Sequence, residues 1–210
     1  MAKGTLIAAM RIKNVATDEF HDWYVTEHLP ERQRVPGFLV CQRWIGADDP
    51  AISVATYDLE SHAVLKTPGY LAIGGENLSP WSKRVTARVE RLMRFEGDQI
   101  LPGDALPDAK AGGLLMIAMN IAPEHEADFN AWYDTEHIPA LSTVPGVLSA
   151  RRFRGTGGRK YVALYHLEAP EVQDSSEWKK MRESEWTDRL KPHFRDFLRI
   201  VCRRYARAAP

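Results

Sequence analysis

The chain has 210 residues, 44% hydrophobic and 27% charged, and its 28 Lys plus Arg balance 28 Asp plus Glu. This is globular composition without the basic excess that a nucleic-acid partner requires. No run approaches the roughly 18 apolar residues of a membrane helix, and Met1–Met10 is too short for a secretory leader, so the sequence reads as a cytoplasmic protein with no membrane contact.

In chain order, a β-rich run (Leu6 to Ile12) opens the sequence. A polar stretch follows, with Asp18 as a candidate helix cap. An amphipathic helix is predicted from Glu19 to about Arg34, ended by Val35-Pro36-Gly37, because proline disfavours helix in its predecessor and glycine permits a turn. Two strands, Phe38–Ile45 and Ser53–Leu59, flank a hairpin loop at residues 46–50. A less regular helical region (Ser61 to Arg84) and a last strand (Ala87 to Phe95) complete the set. Residues 98–112, rich in Pro, Gly and Asp, read as a linker.

The same series then recurs. With Gly113 laid over Gly4, Trp132-Tyr133 falls on Trp23-Tyr24, Thr135-Glu136-His137 on Thr26-Glu27-His28, Pro139 on Pro30, Val144-Pro145-Gly146 on Val35-Pro36-Gly37, and Arg152 on Arg43. The second series comprises a strand (Leu114 to Ile121), a helix (Glu124 to about Thr143) and strands 147–154 and 161–167. A helical region at 171–191 and a final strand at about 195–205, for which a helix is the alternative, complete it. The chain therefore reads as a tandem duplication of an α+β module, 1–97 and 113–210. Each module has the ferredoxin-like order βαββαβ, and the two pack sheet-to-sheet. Unpaired edge strands would allow two such chains to form a homodimer. The arginines between Arg195 and Arg207 read as a solvated strand face, and Cys41 and Cys202 as reduced thiols.

The first helix of each module carries the chemistry. Phe20, Trp23, Tyr24, Glu27 and His28 share one helix face, as do Phe129, Trp132, Tyr133, Glu136 and His137. A Glu and a His thus lie on the stripe that should face the sheet, where polar groups need partners or a cavity. One reading is structural: a histidine near the helix end bonding free carbonyls, over a plain aromatic core. The other makes His28 and His137 acid/base groups, oriented by Tyr24, Tyr133, Glu27 and Glu136, in pockets walled by Trp23 and Trp132. On the following strands, Arg43 and Arg152 are either carboxylate or phenolate holders or surface residues. Tyr57 and Tyr165 are either oxyanion donors or ordinary strand residues. No metal is expected, because none of the seven histidines forms ligand spacing with another His or a Cys.

Trp-Tyr-x-x-Glu-His-x-Pro, Val-Pro-Gly and a strand Arg together resemble the dimeric α+β-barrel superfamily, and its EthD-like members in particular. The resemblance spans both halves and implies an intramolecular version of a barrel that is usually built from two subunits. Its enzymes include cyclases, decarboxylases, dehydratases, isomerases, cofactor-free quinone-forming monooxygenases and haem enzymes. In EthD-like lyases the helix histidine serves proton transfer, which nominates His28 and His137. The leading expectation is a cofactor-independent lyase or isomerase acting on a small aromatic or polyketide-like molecule. The alternatives are a cofactor-free monooxygenase of a phenolic substrate and a non-catalytic ligand-binding protein. The charged Glu31-Arg32-Gln33-Arg34, set against Ala140-Leu141-Ser142-Thr143, indicates that the two sites need not be equal.

Overall fold

The computed structural model describes residues 2–206; Met1 and 207–210, including Arg207 of the Arg-rich end, lie outside it. Eight strands, β1 (Gly4–Arg11), β2 (Phe38–Gly46), β3 (Ile52–Leu59), β4 (Glu90–Leu101), β5 (Gly113–Ile121), β6 (Val147–Gly155), β7 (Tyr161–Leu167) and β8 (Phe194–Arg204), form one closed antiparallel barrel. Its circular order is β1-β3-β2-β8-β5-β7-β6-β4. Within each half the order is the same, β4-β1-β3-β2 and β8-β5-β7-β6. The halves join edge to edge, through β2–β8 (Trp44↔Arg204 to Gly46↔Cys202) and β4–β6 (Gly97↔Gly155 to Leu101↔Arg152).

The sheet-to-sheet packing takes the form of a single sheet curled shut, the barrel that the resemblance implied, because side chains pointing to one face of eight strands can fill a small barrel. Closure also consumes the edges that were expected to drive homodimer formation. The strand end placed at Phe95 extends to Leu101, so residues 98–101 of the expected linker are strand paired with β6. β8 is a strand throughout, with no helix.

Alternation divides the side chains cleanly. Ile7, Ala9, Trp44, Val54, Phe95, Leu114, Met116, Phe153, Leu164 and Cys202 belong to one buried cluster that draws on all eight strands, which is the barrel interior. The opposite faces of the strands pack on helices in two separate clusters, one per half. Cys41 packs on the helix side and Cys202 in the barrel, and both are free thiols.

The interior is not wholly apolar. Arg151 of β6 forms an ion pair with Asp58 of β3, both side chains essentially unexposed, and Arg151 also donates to Ala105 O at 3.2 Å. His166 of β7 is fully buried, edge-on to Trp44 with centroids 5.7 Å apart. Burial, with Arg151 and Arg204 nearby, holds its imidazole well below 6.5, so the ring is neutral. His28 and His137 are depressed in the same way. A histidine that folds neutral gives stability that is complete above its unfolded value near 6.5 and is lost as pH falls toward its folded value. Asp58, raised mainly by burial, acts in the opposite direction, one group against three histidines. The urea midpoint is therefore expected to be flat from pH 8 to about 6.5 and to fall steadily between about pH 6 and 4. His166→Leu should make that fall shallower; an unchanged slope would contradict the assignment.

Candidate functional site: two cavities between sheet and helices

The motif helix of each half is continuous but contains one wide turn. Segments Thr17–Trp23, Tyr24–His28 and Leu29–Gln33 run on without a break, and Leu29 N–H bonds Tyr24 O, five residues back. The second half repeats this at Glu126–Trp132, Tyr133–His137 and Ile138–Ser142, with Ile138 N–H on Tyr133 O. Regular 3.6-residue spacing was expected. The departure lies just before Pro30 and Pro139, which have no N–H to give a regular ladder, and such π-turns concentrate at functional sites. Thr26 and Thr135 hydroxyls bond back to Asp22 O (2.7 Å) and Ala131 O (2.8 Å). Gly37 (φ 92°) and Gly146 (φ 86°) end the helices, and a Cβ on either would meet Val64 or Val172 at 2.6 or 2.7 Å.

The wide turn sets each histidine against its tryptophan. The ring centroids are 4.5 Å apart for His28–Trp23 and 4.2 Å for His137–Trp132, with Tyr24 and Tyr133 edge-on at 5.0 and 5.2 Å. His28 is 8% exposed, and its Nδ1 is enclosed without a protein partner. Burial first, then the positive charges of Arg32, Arg43 and Arg94, hold His28 well below 6.5. Burial and Arg152 bring His137 down to about 3. Both rings are thus neutral near pH 7, not poised at neutrality as the residue type alone suggested.

The two glutamates serve another purpose. Glu27 Oε1 accepts from Ser79 Oγ (2.5 Å) and Ser82 Oγ (3.2 Å), and Ser82 Oγ also receives Trp23 Nε1–H at 2.9 Å. In the second half Ser184 donates to Glu136 (2.5 Å) and contacts Thr187 at 3.0 Å, while Thr187 receives Trp132 Nε1–H at 3.2 Å. Ser79 and Ser184 are the N-caps of helices Pro80–Thr86 and Glu185–Leu190. Each Glu–Trp pair therefore pins the motif helix to a second helix, and neither glutamate bonds a histidine.

The tyrosines pair by hydrogen bond in the first half only; the buried Tyr165 hydroxyl of the second half has no hydrogen-bond partner among the described residues. Tyr24 and Tyr57 hydroxyls are 3.1 Å apart, and burial raises the Tyr24 phenol above 10 and the Tyr57 phenol well above it. Burial pushes Tyr133 up to about 12 and Tyr165 well above 10. All four remain protonated donors at neutral pH. Arg43 and Arg152 lie behind them, each with its guanidinium 4.2 Å from the ring centre of Tyr24 or Tyr133. Arg152 is tied to Asp134 (2.5 Å) and Asn130 (2.9 Å), whereas Arg43 meets His21 Nδ1 at 3.1 Å and Ser53 at 3.4 Å. Neither arginine lines the larger cavity of its own half, described next.

Each half encloses a cavity between sheet and helices. The first, about 650 Å³, is bounded by Leu6, Ala8 and Met10 of β1 together with His28, Arg32, Tyr57, Tyr70, Arg91, Arg94 and the Gly74–Leu78 stretch. The second, about 240 Å³, is bounded by Leu115, Ile117 and Met119 of β5 with Trp132, Tyr133, His137, Leu141, Tyr165, Trp178 and Arg199. No residue lines both. The barrel interior is packed with side chains.

Arg94 escaped the sequence reading, and Arg199 was read only as part of a solvated strand face, whereas it also lines the second cavity. They occupy matching places, paired across to Ala8 and Ile117. The only signal was an arginine on the helix-side register of each last strand, and that register is fixed by pairing with β1 and β5. Arg32 and Tyr70 were likewise missed as cavity residues. Among the described residues no cluster of three or more His, Cys, Asp or Glu could hold a metal, and no helix is long and apolar enough to cross a membrane.

No family model matches the sequence, and no curated protein does. Solved structures do match in shape. A provisionally assigned monooxygenase from Fusobacterium nucleatum subsp. nucleatum superposes with a TM-score of 0.63 at 8% identity, over 98% of this chain and 93% of its own. An anthrone oxidase-like protein gives 0.63 at 10% identity, over 97% and 92%. Chlorite dismutase from Candidatus Nitrospira defluvii gives 0.61 at 10%, over 97% and 91%. The matched proteins are dimeric α+β barrels, and the chain has that fold. Identity this low speaks to the fold alone.

Proposed function

We propose that the protein is a cofactor-independent oxygenase of small phenolic or anthrone-like molecules, working in the 650 Å³ cavity beside His28. The observation that carries this reading is the neutral, enclosed imidazole of His28 among cationic arginines. An imidazole whose protonated form is disfavoured is a poor general acid at neutral pH, which weakens the lyase and isomerase reading that the sequence put first. It is a competent acceptor when the proton it takes leaves an oxyanion beside Arg32 and Arg94, since the new charge on the ring is offset by the charge on the substrate. Tyr57, a protonated donor on the cavity wall, would hold that oxyanion. A phenolate or enolate is the electron-rich form that reacts with dioxygen.

In the overall reaction a ring CH₂ becomes C=O. One oxygen atom is retained, the other leaves as water, and the substrate supplies all four electrons. The monooxygenase and anthrone oxidase names among the structural neighbours agree with this choice. The chain itself reads as a fused tandem pair of ferredoxin-like modules, EthD-like in its helix motif, and the matching strand orders of the two halves support that.

The test is oxygen uptake by the purified protein with anthrone as substrate, followed by appearance of the quinone. One O₂ consumed per quinone formed, in protein that shows no Soret band, is the expected result. Decarboxylation or dehydration of phenolic acids without oxygen uptake would return the lyase reading to first place.

A further inference from the structure

The two cavities differ in ways that define what each can hold. Ala8 stands in the floor of the first where Ile117 fills the second. The stretch between helix caps is longer in the first half (Thr67 to Ser79) than in the second (Ser175 to Ser184), and its extra length supplies Gly74–Leu78 to the wall. The third difference is chemical. Arg32 is 4% exposed and lines the first cavity, where the matching residue of the second is Leu141.

A buried guanidinium with few partners is costly unless something anionic meets it. Arg32 donates to Glu31 at 2.8 Å and to Ile73 O at 3.1 Å, and Glu31 is itself partly exposed. Two further arginines border the same space. Arg94 bonds Tyr70 at 3.0 Å and also pairs with Glu96, while Arg91 has no ion pair or side-chain hydrogen bond among the described residues. Glu76 is the one acidic residue on the lining. The enclosed His28 Nδ1 adds an unpartnered polar atom at the same wall.

We infer that the first cavity takes an aromatic ligand bearing a carboxylate beside its phenol, with the carboxylate held by Arg32 and Arg91 and the phenol facing His28 and Tyr57. The second cavity also carries cations on its lining, Arg182, Lys191 and Arg199, but it has Leu141 in place of Arg32 and about 240 Å³ against about 650 Å³. This rests on reading the first cavity as the substrate site, and it is tested by binding, so a failed oxygenase assay leaves it standing or falling on its own result.

Titration calorimetry compares 1-hydroxy-2-naphthoate with 1-naphthol, which lacks the carboxylate. The naphthoate should bind more tightly by on the order of tenfold or more, with affinity falling as salt rises. Arg32→Leu, which installs the second half's residue, should weaken naphthoate binding far more than 1-naphthol binding and so abolish the preference. Arg91→Gln, at an exposed position that does not risk folding, should weaken naphthoate binding several-fold and leave the unfolding midpoint unaltered. Equal affinity of the two probes for the unaltered protein overturns the inference. So does a preference that survives both substitutions.

Discussion

Turnover of a phenolic substrate should fall by about 10²–10⁴-fold when His28 is replaced by alanine, the usual loss for a positioned acid/base group, while His137→Ala should cost less than about tenfold. The asymmetry follows from size. The cavity beside His137 has about 240 Å³, below the roughly 300–1,000 Å³ typical of sites for small organic ligands, whereas the one beside His28 has about 650 Å³. The pH profile gives a second readout. With His28 held well below 6.5, kcat/KM should show no histidine inflection between about pH 6 and 8. Steady-state rates for both variants, with near-UV circular dichroism to confirm the fold, decide the matter. Equal losses in the two variants would mean that the halves share the chemistry. Negligible loss in both would remove the histidines from it.

The largest expected loss of stability comes from the barrel interior. Arg151→Ala leaves the Asp58 carboxylate buried without its cation, and removing one partner of a buried pair costs roughly 3–5 kcal/mol. Joint replacement, Asp58→Leu with Arg151→Met, should recover most of that, because two apolar groups of similar bulk need no partners. Urea unfolding of the parent and both variants completes the comparison. A single variant within about 1 kcal/mol of the parent would show the pair to be dispensable. The pair also joins strands from different halves, β3 and β6, which are not neighbours in the sheet. It thereby ties the halves across the lumen, independently of the short β2–β8 and β4–β6 seams.

Much of this architecture was legible because the sequence states it twice. Trp23 to Pro30 and Trp132 to Pro139 locate the two motif helices, and Val-Pro-Gly locates their ends to within a residue or two. The site was only partly legible. Spacing put Glu27 and His28 on one sheet-facing stripe, but could not reveal that Glu27 reaches Ser79 and Ser82 far along the chain while His28 lines the cavity. Pro30 hinted at an irregular helix, but the i+5 bond depends on how the helix seats on the sheet. Arg43 does face the helix layer, yet Tyr24 and Tyr205 cover it, while Arg94 stands open to the cavity. Which arginine is covered depends on where each helix crosses the strands, and local pattern carries no information about that.

The separate linings have a consequence for inheritance. Residues between Leu6 and Arg94 build one chamber, and residues between Leu115 and Arg199 build the other. Where two identical chains make such a pair of chambers, every mutation strikes both at once. Here each is encoded once, so one can be enlarged, recharged or closed while the other is left unchanged.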